Sequence, residues 1–316
     1  MTSIDLLAGP RGRRFCLAAV TALSNQLWSR QLRVGCAPHN ADLRAEFSAA
    51  VASEATLAAV SRAPGEDLLT ALSIAVDRAA YWQPPDDVDE LGQTPEVLQA
   101  LKPIAHALAD RISGSWWVSP LDTGTQHAVQ WVDEFDMPAP SLSGATEKVT
   151  GWRERTLASE RVASRWSRSL KRRTGSSWWS TPAMSELVQT NRALPGLGSA
   201  GLLLVEDGAG WNRARVWPLA QTWRKTAYET TGLDATWLIP DYAAVARKYD
   251  SVHLTVAGYL ATAGRPLDAG RGTTMLAGWD PDATYWLGDV LESSGGPTEW
   301  ENPVVGTTAE WAPTTR

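Results

Sequence analysis

The chain has 316 residues, a net charge of −6, 44% hydrophobic and 20% charged residues. That length can bury a large core in one or two domains, and the mild acidity provides no global field to attract nucleic acid or an anionic membrane. Nucleic acid is therefore disfavoured as a partner, although a local basic patch could still bind one. Two cysteines, Cys16 and Cys36, exclude a disulfide framework and a CxxC metal knuckle. They are expected as two buried free thiols in a reducing cytoplasm.

The aromatic balance is uneven, with 17 Trp against 6 Tyr and 3 Phe. Trp supplies large apolar area and one N–H donor. The ordinary reading is a core built on Trp; the functional one is a Trp-lined pocket for a ring, sugar or cation. The abundance of Ala, Arg and Trp suggests a bacterial source of high GC content.

Arg11, Arg13 and Arg14 precede an apolar run, Phe15 to Val20, in the manner of a signal peptide. Thr21 and then Ser24, Asn25 and Gln26 interrupt the run, Asp5 lies in the would-be basic segment, and no clean cleavage site follows. Leu17, Val20, Leu23, Leu27 and Trp28 recur at helical spacing, so residues 11–31 are expected to form an amphipathic core helix. No apolar stretch reaches the roughly 18 residues a membrane span requires. The expected location is cytoplasmic.

Helices are also expected over 42–62, 66–82 and 94–112. Pro84 and Pro85 stop the second of these, because proline cannot continue the turn. Thr94 at the N-cap and Pro95 behind it open the third. Asp86, Asp87, Asp89 and Glu90 read as a solvated surface loop; their spacing fits no calcium loop.

Trp116-Trp117 within 114–120 is echoed by Trp178-Trp179 within 176–182. Each segment reads as a short strand ended by proline, with one Trp facing each way. Two matches of this length do not establish a duplication. A further strand is expected over 125–131, then a Pro/Ser/Gly linker over 137–144 and a strongly basic helix over 145–173. From 151 to 173 it carries Arg153, Arg155, Arg161, Arg165, Arg168, Lys171, Arg172 and Arg173 against two acids, Glu154 and Glu160. Some of these cations suit a helix C-terminus. Others, Arg165 or Arg168 above all, could clamp an anion through a forked guanidinium.

The last third carries the β signals. Residues 200–206 and 212–219 read as a hairpin around Asp207-Gly208. Residues 251–262 read as the longest strand, returning through a glycine-rich turn, 264–272, to a strand over 273–279. In such a strand His253, Thr255 and Tyr259 share one face. The acidic turn Asp280-Pro281-Asp282 would then end beside His253. From residue 293 onward, Gly, Pro and Thr indicate a loosely packed tail.

Several chemistries lack their residues. There is no GxxxxGK[ST] loop, no GxSxG elbow, no HExxH and no clustered His/Cys set. Gly196, Gly198 and Gly201 precede a strand, the wrong order for a dinucleotide site. No metal or organic cofactor is expected.

The fold class expected is α+β: a helical N-terminal third, residues 1–113, then a mixed, mainly antiparallel sheet with flanking helices over 114–292. The two pack as one globular unit, and 293–316 forms the tail. The leading functional expectation is an enzyme acting on a small polar or anionic molecule in bacterial specialised metabolism. His253, Asp280 and Asp282 would supply acid/base groups. Arg165, Arg168, Trp117, Trp179, Tyr259 and Trp279 would bind substrate. The alternatives are a non-catalytic subunit whose Trp and Arg residues bind a protein partner, and a nucleic-acid binder acting through residues 151–173.

Overall fold

The structure, a computed structural model, describes residues 4–79, 85–118, 186–188, 216–218, 227–240, 251–268, 272–276, 281–286, 300–301 and 312–313. These are mostly helical, with small antiparallel sheets. Among them, no helix is long and apolar enough to cross a membrane.

Helix α1 (Pro10–Ala22) is the axis of the helical region. Proline follows its N-cap Gly9, where the missing N–H costs nothing. It packs against six of the helices described below, which explains why it is buried on nearly every face. The single helix expected over 11–31 is two. Leu23 closes α1, and Ser24 opens α2 (Asn25–Cys36) by accepting a hydrogen bond from the Leu27 N–H. The helix expected over 42–62 divides in the same way. Asn40 caps α3 (Ala41–Val51), and Ser53 caps α4 (Glu54–Arg62) by accepting from the Thr56 N–H. In each case a short polar side chain satisfies an orphan donor of a new first turn better than a continuous helix could.

Helix α5 (Gly65–Asp77) lies along α1, and α7 (Pro95–Ser113) packs on α3, α4 and α1. Arg111 of α7 reaches the C-terminus of α4, donating to the carbonyls of Val60 at 2.8 Å and Ala63 at 2.5 Å. It thereby satisfies acceptors that the helix leaves open.

The acidic stretch is not a solvated loop. It forms α6 (Asp87–Leu91), capped by Asp86, and its Asp89 is buried. Asp89 pairs with Arg11 at 2.5 Å and lies 3.4 Å from Arg14, which also holds Asp86 at 2.5 Å. Arg11 donates in addition to the Ala75 carbonyl of α5. Two of the three arginines that mimic an export signal, Arg11 and Arg14, are thus the internal counter-ions of Asp86 and Asp89.

Residues 116–118 form a 3-10 turn rather than a strand. Trp117 is buried and packs its ring 5.5 Å from that of Phe15, while Trp116 is half-buried. The echoing residues 176–182, the strand expected over 125–131 and the basic helix over 145–173 lie outside the described residues.

In the C-terminal half, β1 (Glu186–Val188), β4 (Ser251–Leu254) and β7 (Ala283–Trp286) form an antiparallel sheet with β4 in the middle. Strand β2 (Val216–Pro218) pairs with β3 (Leu238–Pro240). Pro240 is the last residue of β3. The hairpin partner expected over 200–206 lies outside the described residues. Strand β5 (Leu267–Asp268) turns back on β6 (Thr273–Thr274). In the region expected as a loose tail, β8 (Trp300–Glu301) pairs with β9 (Ala312–Pro313).

The long strand expected over 251–262 is the main departure. After Leu254 the chain turns at Thr255 into a helix, α8 (Val256–Thr262). The Thr255 hydroxyl accepts from the Gly258 N–H at 2.5 Å, the geometry of an N-cap. Every residue of α8 is buried, as befits a helix apolar all round. It docks on α1 where glycines allow close approach. A Cβ on Gly12 would stand 2.8 Å from the Leu260 carbonyl oxygen, and one on Gly9 would stand 3.1 Å from that of Ala261. Leu254, Val256, Tyr259, Leu260 and Leu276 accordingly join the same core cluster as Phe15, Leu101, Ile104 and Leu108.

Candidate functional site

Two residues with strongly perturbed chemistry lie where β4 ends. His253 is the third residue of β4, with 1% of its surface exposed. Asp282 immediately precedes β7 and is 9% exposed. The two come together through backbone pairing: the Asp282 N–H donates to the carbonyl of Leu254, next to His253, at 2.8 Å. The register then sets His253 opposite Thr284, two residues beyond Asp282. The acidic turn was expected beside His253 by way of a strand over 273–279. The pairing instead runs through β7, because the residues near 273 pair with β5.

Asp282 adopts φ 61°, in the left-handed region that aspartate tolerates better than most residues. Neither oxygen of its carboxyl makes a hydrogen bond among the described residues. Burial pushes that carboxyl up to about 9. Burial also pushes the His253 imidazole down to about 3. Both follow from one cause, since a low-dielectric surround disfavours whichever form carries charge. Near neutral pH the site therefore holds a protonated carboxylic acid and an uncharged imidazole. The first can give a proton, and the second can take one.

Of the other residues expected at the site, Tyr259 and Trp117 are described. Tyr259 is completely buried, but on α8 rather than on a strand face shared with His253. Thr255 leaves that face for the same reason: it caps the helix. Trp117 is buried in the 3-10 turn, which packs against α8 and beside Phe15. These residues thus gather around α8 but are held in the core. Asp280, Arg165, Arg168, Trp179 and Trp279 lie outside the described residues. No group of three or more His, Cys, Asp or Glu side chains that could hold a metal ion occurs among the described residues.

Sequence reasoning missed the ion network of Arg11, Arg14, Asp86 and Asp89. The available signal was three arginines in an apolar helix facing a run of acids with matching charge. A buried carboxylate needs such partners.

The chain matches no protein-family model, no curated protein and no solved structure.

Proposed function

We propose that the protein is an enzyme that moves a proton on a small polar molecule, with Asp282 as general acid and His253 as general base. The observation that supports this most is the pairing of β4 with β7, which brings two buried titratable groups to one strand end. Groups displaced in opposite directions by their surroundings are a common mark of acid/base sites. A buried carboxyl with no hydrogen bond among the described residues, in left-handed backbone, is also the kind of local cost that sites retain. The wider expectation belongs to the same proposal: an α+β unit with a mainly antiparallel sheet and flanking helices, in a bacterial cytoplasm. Asp280 stays in it as a further acid/base group, and Arg165 and Arg168 as substrate contacts.

The test is native mass spectrometry of the chain purified from its own host, with His253→Gln and Asp282→Asn alongside. A small molecule retained by the native chain and lost from both variants supports the reading. Retention unchanged in both variants would overturn it.

A second reading, a subunit that binds a protein partner, draws on α2. Trp28 and Leu32 lie one turn apart on that helix and are 53% and 47% exposed. Adjacent apolar side chains on one helical stripe are the usual anchors of a partner surface. A partner chain in the same mass spectrum, lost in Trp28→Ser, would favour this reading.

A further inference from the structure

Helix α2 packs on α1, α3 and α6, and a groove of about 340 Å³ remains between α2 and α4. That volume lies at the lower end of small-molecule sites, roughly 300–1,000 Å³. Its floor is Val20, Leu27 and Val60, all buried, and the small side chains of Ala55 and Ala59 hold it open. The hydroxyls at its rim have local tasks: Ser24 and Ser53 cap helices, and Thr56 donates to the Ala50 carbonyl.

Arg30 is the one charged side chain on the lining among the described residues. Its Nε donates to Glu46 at 3.1 Å, and Arg33 donates to the same carboxylate oxygen at 3.3 Å. Two guanidinium groups thus share one carboxylate, leaving a net positive charge at the groove. The Nη atoms of Arg30 make no hydrogen bond among the described residues. They form the flat end of the fork that receives a carboxylate through two parallel bonds.

We propose that the α2–α4 groove binds a small amphipathic monocarboxylate, its apolar body on Val20, Leu27 and Val60 and its carboxylate on Arg30. The match is one of charge and of surface: among the described residues, an apolar floor, a single cation at the edge and no acid on the lining. A neutral molecule would leave the Arg30 fork unused, and an amine would be repelled by it. This site is separate from His253 and Asp282 and does not depend on their role.

The test is titration calorimetry of the full chain with octanoate, octanol and octylammonium. Octanoate should bind saturably, and the other two should bind at least about tenfold more weakly. Arg30→Gln should weaken octanoate binding about tenfold, and Arg30→Lys less. Ala59→Leu should block the groove. Ala55→Leu, at an exposed position, does the same if Ala59→Leu unfolds. Circular dichroism confirms that each variant used is folded. No saturable octanoate binding, equal binding of octanol, or undiminished binding by Arg30→Gln or by the folded leucine variant would each overturn the proposal.

Discussion

Gly12 of α1 faces the backbone carbonyl of Leu260 in α8 so closely that a Cβ would stand 2.8 Å from that oxygen. The obstacle is backbone on both sides, since the Leu6 carbonyl crowds the same position. Neither can swing aside as a flexible side chain could. Gly12→Ala should therefore destabilise the fold by about 1–3 kcal/mol, the usual range for overpacking a core. Gly65→Ala is the control. Nothing lies within 4 Å of its Cβ position, and alanine favours helix by up to about 1 kcal/mol. Urea unfolding followed by circular dichroism separates the two, and equal stability of both variants would show that α8 does not dock at Gly12.

Asp89 sits between two buried arginines, and removing it leaves Arg11 without its carboxylate and Arg14 with Asp86 alone. Asp89→Asn should cost about 3–5 kcal/mol, the scale for breaking a buried ion pair. Glu46→Gln, which breaks only partly exposed pairs with Arg30 and Arg33, should cost less than about 1 kcal/mol. Acid should act on the same network. Burial raises the Asp86 carboxyl, but the Arg14 hydrogen bond and the N–H groups of Asp89 and Val88 outweigh it, so its value ends below 3.8. Its contribution is present above the unfolded value of 3.8 and lost as pH falls through the lower folded one. The melting temperature should drop in that acid range, and more gently in Asp86→Asn.

His253 and Asp282 should give stability slopes of opposite sign. Asp282, at about 9 in the fold against 3.8 unfolded, holds a proton that the unfolded chain has released. Stability from this group falls as pH rises through that interval. His253, at about 3 against 6.5, stays neutral where the unfolded chain binds a proton, so stability rises with pH between those values. The two oppose each other from about 3.8 to 6.5, and Asp282 acts alone from 6.5 to about 9. Melting temperatures should fall across that upper interval, and Asp282→Asn should flatten the fall and raise the melting temperature at pH 8. An unchanged profile in the variant would place the titration elsewhere.

Thr255 should matter as a cap and not as a β residue. Thr255→Val keeps the shape and the β preference but removes the acceptor for the Gly258 N–H. The expected cost is about 0.5–2 kcal/mol, while Thr255→Ser should stay close to the native value. Were residues 251–262 one strand, valine would be the better tolerated of the two, so thermal unfolding of the pair decides between helix and strand.

The two cysteines should differ in reactivity. Both are free, but Cys36 is exposed, and only Cys16 is buried as expected for both. Burial also pushes the Cys16 thiol well above its ordinary value, which suppresses the reactive thiolate. A chromogenic disulfide reagent should label Cys36 alone in the native chain and both thiols in denaturant. Rapid labelling of two thiols without denaturant would mean that α1 opens.

Much of the helical region was legible from spacing and capping residues. The α7 helix begins where Thr94 and Pro95 place it, and its buried face includes Leu101, Ile104, Ala105 and Leu108 as the 3.6-residue period requires. The divisions at Ser24 and Ser53 were legible in principle, since serine favours an N-cap, but an unbroken apolar period concealed them. Residues 251–262 were not legible. A fully buried helix has no polar face, so its composition equals that of a buried strand, and one threonine hydroxyl marks the change. Sequence alone determined which residues are apolar, which can cap and which can titrate. Only the tertiary structure decided that Arg11 meets Asp89 and that Asp282 hydrogen-bonds the end of the strand that carries His253. Those pairs are 78 and 29 residues apart in the chain. Burial sets their charge states, and burial depends on every element packed around them.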